Sequence, residues 1–334
     1  MSTSALVDRR PELPAERLLA GLVPPRHFAD ATFESYQPDP DHPSQGAALD
    51  RMASIAAELS APRRRRWGRA DPRRVAVYLD GGFGVGKTHL LAALAHRVGP
   101  ERAAYGTFVE YTHLVGALGF RTTVRALAHR AVVCIDEFEL DDPGDTVLMS
   151  RLLRELSDLG VALAATSNTL PESLGEGRFA ADDFLREIQG LAQRFEVIRV
   201  DGPDFRHRSA PGDPPTVPDD VALAAAGAVP GATCDAFDVL LGHLRSVHPV
   251  RYGALVDGVP LVTLTGVRRV EDQADALRLV VLVDRLYDRD VPVLLGGESA
   301  LFGAAMLGGG YRKKYLRALS RLGELAERGR EVIG

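Results

Sequence analysis

Cysteine is scarce: the 334 residues hold two, Cys134 and Cys234. Two cysteines build no disulfide framework, and Cys134 falls inside an apolar run read as a buried strand. The sequence therefore suits a reducing cytosol. No apolar run approaches the roughly 20 residues that a membrane-spanning helix needs. Residues 1–10 contain no apolar signal core, so a cytoplasmic location with no integral membrane segment is expected. Charge of one sign is not in excess either. A net charge of −5 exerts no general pull on nucleic acid or anionic lipid. There is no internal repeat, no helix-turn-helix pattern and no zinc-ligand spacing. The guanine-reading Asn-Lys-x-Asp run is missing too. What remains is an ordinary globular composition, 46% hydrophobic and 25% charged, long enough for about two domains.

The most informative stretch that is present runs Gly81-Gly82-Phe83-Gly84-Val85-Gly86-Lys87-Thr88. This is G-x-x-x-x-G-K-T. Ahead of it, Arg74 to Asp80 is apolar and β-branched, as a buried strand would be. Behind it, Thr88 to His96 is a good helix former. Strand, glycine-rich loop and helix are the context this phosphate-binding motif requires. Glycines let the backbone curl so that its N–H groups point at phosphate, and the helix N-terminus faces the same anion. Gly81, Gly82, Phe83, Gly84, Val85, Gly86, Lys87, Thr88 and His89 are the expected nucleotide-binding residues. Lys87 would reach the β- and γ-phosphates, and the Thr88 hydroxyl would sit on Mg²⁺.

Further apolar runs read as strands at Thr107–Tyr111, Ala131–Asp136, Val161–Thr166 and Glu196–Val200, separated by helical patterns such as 145–159 and 181–194. Alternating strands and helices behind a phosphate loop imply an α/β fold, a parallel sheet with helices on both faces. The expected division is an N-terminal arm and first helix at 1–60, a core at 61–201, a proline-rich linker at 202–232 and a smaller region at 233–334. The arm is rich in proline and aromatics. Phe28, Phe33 and Tyr36 either pack near a nucleotide base or cover the edge of the sheet, and the sequence leaves both readings open. The basic run at Arg63–Arg66 beside Trp67 reads as a solvated loop, so nucleic acid is not an expected partner.

Asp136-Glu137 closes the third strand. Carboxylates at strand C-termini face the crevice where an open α/β sheet binds its ligand. Asp136 is expected to share the metal with Thr88, and Glu137 to act as general base toward the attacking water. Thr166-Ser167-Asn168 ends the next strand, and Asn168 is the candidate for contact with the γ-phosphate and the water. It also has a plainer reading, as a cap for a helix starting near Pro171. Transition-state charge calls for a further cation. Arg178 is the first candidate for it, Arg194 the second, and Arg317 and Arg321 could act from the C-terminal region.

Taken together, Cys134-Ile135-Asp136-Glu137-Phe138-Glu139-Leu140, then Asp142, Asp145 and Ala165-Thr166-Ser167-Asn168, resemble the ZapE-type cell-division ATPases and their mitochondrial relatives, the lactation-elevated-protein ATPases. Pro24-Pro25-Arg26, Asp204-Phe205-Arg206, the block Leu282 to Asp288 and Ser320-Arg321-Leu322 extend that resemblance over most of the chain. The resemblance implies an AAA+-like ATPase core with a C-terminal α+β lid region. It also implies ATP and Mg²⁺ as cofactors, a homo-oligomer formed on ATP binding, and hydrolysis coupled to remodelling a protein client such as the tubulin-like division protein. Two other functions fit the motifs. A replication ATPase of the helicase-loader or initiator type would bind DNA in a salt-sensitive manner. A nucleotide switch would bind ATP without turnover, and has no use for Glu137.

Overall fold

A computed structural model describes residues 4–11, 14–61, 75–82, 84–138, 143–167, 194–202, 213–309 and 311–333. The chain divides into two compact units, one comprising Pro14–Pro24 and Phe28–His207, the other Met1–Leu13, Pro25–His27 and Arg208–Gly334.

In the first unit the described elements run α1 (Ala15–Ala20), α2 (Pro43–Ser60), β1 (Ala76–Gly81), α3 (Lys87–Val98), β2 (Ala103–Thr107), α4 (Phe108–Leu118), α5 (Phe120–Leu127), β3 (Val132–Asp136), α6 (Pro143–Asp158), β4 (Ala162–Ser167) and β5 (Glu196–Val200). The strands form a parallel sheet in the order β2-β3-β4-β1-β5. Every residue of β3 and β4 is buried. A parallel strand covered on both faces has no polar side, so its sequence is apolar without alternation. Successive side chains still leave on opposite faces. Tyr78, Val133, Ile135 and Leu163 join a core with α4 and α6, whereas Val77, Leu79, Cys134 and Ala164 join a second core with α2 and α3.

One expected strand is wrong. Thr107 ends β2 rather than beginning a strand to Tyr111, and Phe108 opens α4. The Thr107 hydroxyl accepts from the Glu110 N–H, and the Glu110 carboxylate accepts from the Thr107 N–H. This reciprocal T-x-x-E cap satisfies two of the donors a helix start leaves open and overrides the β propensity of Phe, Val and Tyr.

In the second unit, β6 (Thr233–Ala236), β7 (Val262–Val267) and β8 (Val293–Gly297) form a parallel sheet in that order. The helices are α7 (Asp219–Ala228), α8 (Phe237–Ser246), α9 (Tyr252–Val256), α10 (Gln273–Asp288), α11 (Ala304–Gly308) and α12 (Arg312–Ile333). Leu240, Leu264, Leu279, Val293 and Leu322 meet in its main core. Part of the proline-rich stretch belongs here too, because Ala225 of α7 packs on Leu261 and Leu294. So do the first residues of the chain. Leu6 is fully buried, the Leu6 and Val7 N–H groups donate to the Asp235 carboxylate, and the Cys234 N–H donates to the Ser4 carbonyl.

Asp284 on α10 lies between Arg317 and Arg321 of α12, at 3.2 and 2.6 Å. Burial raises its carboxyl, but the two guanidiniums outweigh burial and hold it below the ordinary carboxylate range. A carboxyl lowered in the fold contributes stability above its unfolded pKa, about 4, and loses it as pH falls through the folded value. Asp284→Asn removes the carboxylate paired with both guanidiniums and should cost about 3 kcal/mol near neutral pH. Thermal melts taken from neutral pH down to roughly pH 3 test this. The gap between variant and wild type should close in acid, and a gap that stays constant would remove Asp284 as its source.

Candidate nucleotide site

Three elements converge at the C-terminal edge of the first unit's sheet. β1 delivers Gly81 and Gly82, and the chain turns through Gly84 and Gly86 at φ +71° and +89°. That left-handed region is open to glycine and strained for most side chains. Gly86 is the N-cap of α3, so Lys87 and Thr88 open the helix where its dipole is positive. The Lys87 ammonium donates to the Gly81 and Gly82 carbonyls at 2.9 and 2.5 Å, folded along the loop it would leave to meet phosphate. Phe83 lies outside the described residues.

β3 delivers Asp136, whose carboxylate collects four donors, three of them from other elements. Thr88 Oγ1 reaches Oδ1 at 3.2 Å from α3, Thr166 Oγ1 reaches it at 2.5 Å from β4, and the Glu137 N–H adds a third at 3.2 Å. Tyr105 on β2, buried in the sheet, donates its hydroxyl to Oδ2 at 2.9 Å. Burial pushes the Asp136 carboxyl up, the neighbouring Glu137 charge adds to that, and the three hydroxyls oppose both. The Thr88 bond ties the phosphate loop to the carboxylate strand.

Glu137 has φ 52°, a left-handed backbone on a residue with a side chain. Its N–H donates to Thr166 Oγ1 at 3.1 Å, and the Phe138 N–H donates to the Thr166 carbonyl at 2.7 Å. Phe138 is buried edge-to-face against Phe108 and Tyr78. Glu137 is thus a one-residue corner between two anchored neighbours, and such strain persists only where the surroundings over-determine it.

The remaining candidates separate. The His89 Nε2 lies 2.9 Å from the Thr32 carbonyl and 3.1 Å from Ser35 Oγ, so this ring engages the arm. Arg194 pairs with Asp158 at 3.2 Å. Arg317 and Arg321, which the sequence offers as cations acting from the C-terminal region, pair with Asp284 in the second unit, and Arg321 also stands over the Tyr287 ring. Asn168 and Arg178 lie outside the described residues. Two residues that the sequence reading missed, Tyr105 and Thr166, hold Asp136. Thr166 is the next-to-last residue of β4, in the Thr166-Ser167-Asn168 run that the sequence singled out, a position from which its role was open to inference. Tyr105 carries no signal, being one tyrosine in an apolar strand.

The arm's Tyr36 is buried on the loop itself, with its hydroxyl on the Val85 carbonyl at 3.0 Å. Gln45 ties the arm to β5's end by accepting from the Asp39 N–H and donating to the Asp201 carbonyl.

The family model of the AFG1-like ATPases matches residues 13–226 and 218–330. The chain belongs to the AFG1-like ATPases. Among curated relatives, this AFG1-like ATPase is 27% identical to the cell division protein ZapE of Escherichia coli strain K12, over 92% of its own length and 96% of that protein's. It is 30% identical to lactation elevated protein 1 homolog B of Danio rerio over 27% of this chain and 18% of that one. Among solved structures, DnaI matches with a TM-score of 0.43 and 18% identity over 56% of this chain and 98% of that one. Domain III of the Thermotoga maritima replication initiation protein DnaA matches with a TM-score of 0.40 and 20% identity over 53% and 69%. Among the described residues, no helix is long and apolar enough to cross a membrane.

Proposed function

We propose that this AFG1-like ATPase hydrolyses ATP in the first unit and uses the cycle to remodel a protein assembly in cell division. The observation that carries the hydrolysis is the hydrogen bond from Thr88 of the phosphate loop to Asp136 at the end of β3, with Glu137 directly after it. A hydroxyl and a carboxylate oxygen 3.2 Å apart are hard donors, and one or two such ligands completed by phosphate oxygens and water suit Mg²⁺. Thr88 and Asp136 would hold that ion, which when bound offsets phosphate charge. Lys87 exchanges its two carbonyl contacts for the β- and γ-phosphates. Glu137 takes a proton from water as the water oxygen attacks the γ-phosphorus. The bond to the bridging oxygen breaks, leaving ADP, phosphate and a proton on the carboxylate that returns to solvent. Asn168 orients that water, and Arg178, offered from a second copy of the chain, meets the charge that develops.

The near full-length similarity to the cell division protein ZapE supports a role in division. To it we add, as the family resemblance implies, a cytoplasmic location, a tubulin-like client and assembly on ATP. The test is steady-state ATP hydrolysis per chain across a range of protein concentrations, with and without that client. A rate per chain that rises with concentration, and rises again with client, is expected of sites completed between copies. A rate that is flat under both conditions would sink assembly and client together.

A further inference from the structure

Tyr36 touches the phosphate loop at a point that the hydrolysis scheme leaves unused. It is 8% exposed, and its hydroxyl donates to the Val85 carbonyl at 3.0 Å. A ring carbon stands 2.4 Å from where a Cβ on Gly86 would be, so the ring fills the space against the loop just ahead of Lys87. Burial pushes the phenol up to about 12, which keeps it a donor across the working range of pH. The turn that carries Tyr36 is itself tied down. Thr32 and Ser35 exchange side-chain to backbone hydrogen bonds, His89 lies within hydrogen-bond distance of both, and His96 Nε2 stands 2.9 Å from the Phe28 carbonyl.

The Val85 carbonyl and the Gly86 N–H belong to one planar trans peptide, so they point in opposite directions. A donor that fixes the carbonyl on the arm side fixes the N–H on the other. Phosphate loops bind their anion through such N–H groups. We propose that Tyr36 is a positioning residue for phosphate binding, its hydroxyl anchoring the Val85 carbonyl so that the Gly86 N–H is held toward the bound phosphates. This rests on the reading of residues 81–88 as a phosphate cradle. Its consequence is that the seating of residues 28–36 and the affinity for phosphate are linked: lifting the arm frees the Val85–Gly86 peptide, and an occupied loop holds the arm down.

The test uses the full chain and two probes, ATP and inorganic tripolyphosphate, the second having neither base nor sugar. Tyr36→Phe removes one oxygen and keeps the ring. Both probes should weaken by the same factor, about fivefold for one hydrogen bond. KM for ATP should rise by that factor while kcat is retained, and the nucleotide-free melting temperature should fall by no more than about 4 °C, the worth of one hydrogen bond in a unit of this size. His89→Ala, which cuts the tie between the Thr32–Ser35 turn and α3 and removes the ring packed beside Tyr36 while keeping the phenol hydroxyl itself, should weaken tripolyphosphate in the same direction by about twofold. Weakening of ATP alone would put Tyr36 at the base and overturn the proposal, as would unchanged affinity for both probes. Unchanged binding in His89→Ala would overturn the link to the arm. A wild type that binds neither probe, indistinguishable from Lys87→Ala, would overturn the phosphate-cradle reading as well.

Discussion

Glu137→Gln is expected to keep ATP binding and to lose turnover by about 10²–10⁴-fold, the usual contribution of a positioned general base. The amide is nearly isosteric, keeps the backbone N–H that donates to Asp136 and Thr166, and leaves the left-handed corner at φ 52° as it is. The change therefore removes the charged proton acceptor while keeping the backbone corner. Equilibrium binding of ATP together with single-turnover hydrolysis checks both halves. A variant that hydrolyses at the wild-type rate would place the base elsewhere. A variant that no longer binds would make Glu137 part of the cradle rather than of the chemistry.

Gly81→Ala is expected to destabilise the first unit by about 3 kcal/mol, at the upper end of what one added methyl costs in a packed interior. A Cβ at this position would stand 2.1 Å from the Val200 carbonyl oxygen and 3.1 Å from its carbon. Gly81 and Val200 are register partners of β1 and β5, so the obstacle is backbone and the strands themselves must part. At roughly 2–4 °C per kcal/mol for a unit of this size, the melting transition should fall by about 6–12 °C. Gly82→Ala is the internal comparison. Its nearest atom is the Gly202 oxygen at 4.0 Å, and its shift should stay within about 0.5 kcal/mol. Equal shifts in the two variants would mean that the close approach to Val200 has no energetic weight.

Much of the site was legible in the chain. The spacing of glycines, lysine and threonine announced the loop, and the apolar run closing on Asp136-Glu137 announced the opposite wall. These signals are local, because a phosphate loop must be continuous in sequence for its N–H groups to face one anion. What was not legible depends on strands distant along the chain. Tyr105 and Thr166 reach Asp136 only because β2 and β4 flank β3. The helix at Phe108 was hidden by β-forming residues and decided by the Thr107–Glu110 cap. That Asp284 of α10 stands between Arg317 and Arg321 was equally beyond reach of the sequence, because the three residues lie on two helices.

Gly81 shows the division most clearly. By itself, the sequence determined that this protein has a nucleotide-type loop, a parallel sheet behind it and an acidic pair at the end of a buried strand, because each follows from short-range pattern and residue chemistry. It also determined that Gly81 is a glycine of that loop, but the reason it gave, freedom of the backbone, holds for Gly84 and Gly86 and not here. Only the tertiary structure decided that Gly81 is small because the Val200 carbonyl passes against it, that Asp136 is held by Tyr105 and Thr166, and that the arm ends with a phenol on the loop's own backbone. Those contacts join segments far apart in the chain, and side-chain periodicity carries no information about which distant strand or arm will arrive beside a given residue.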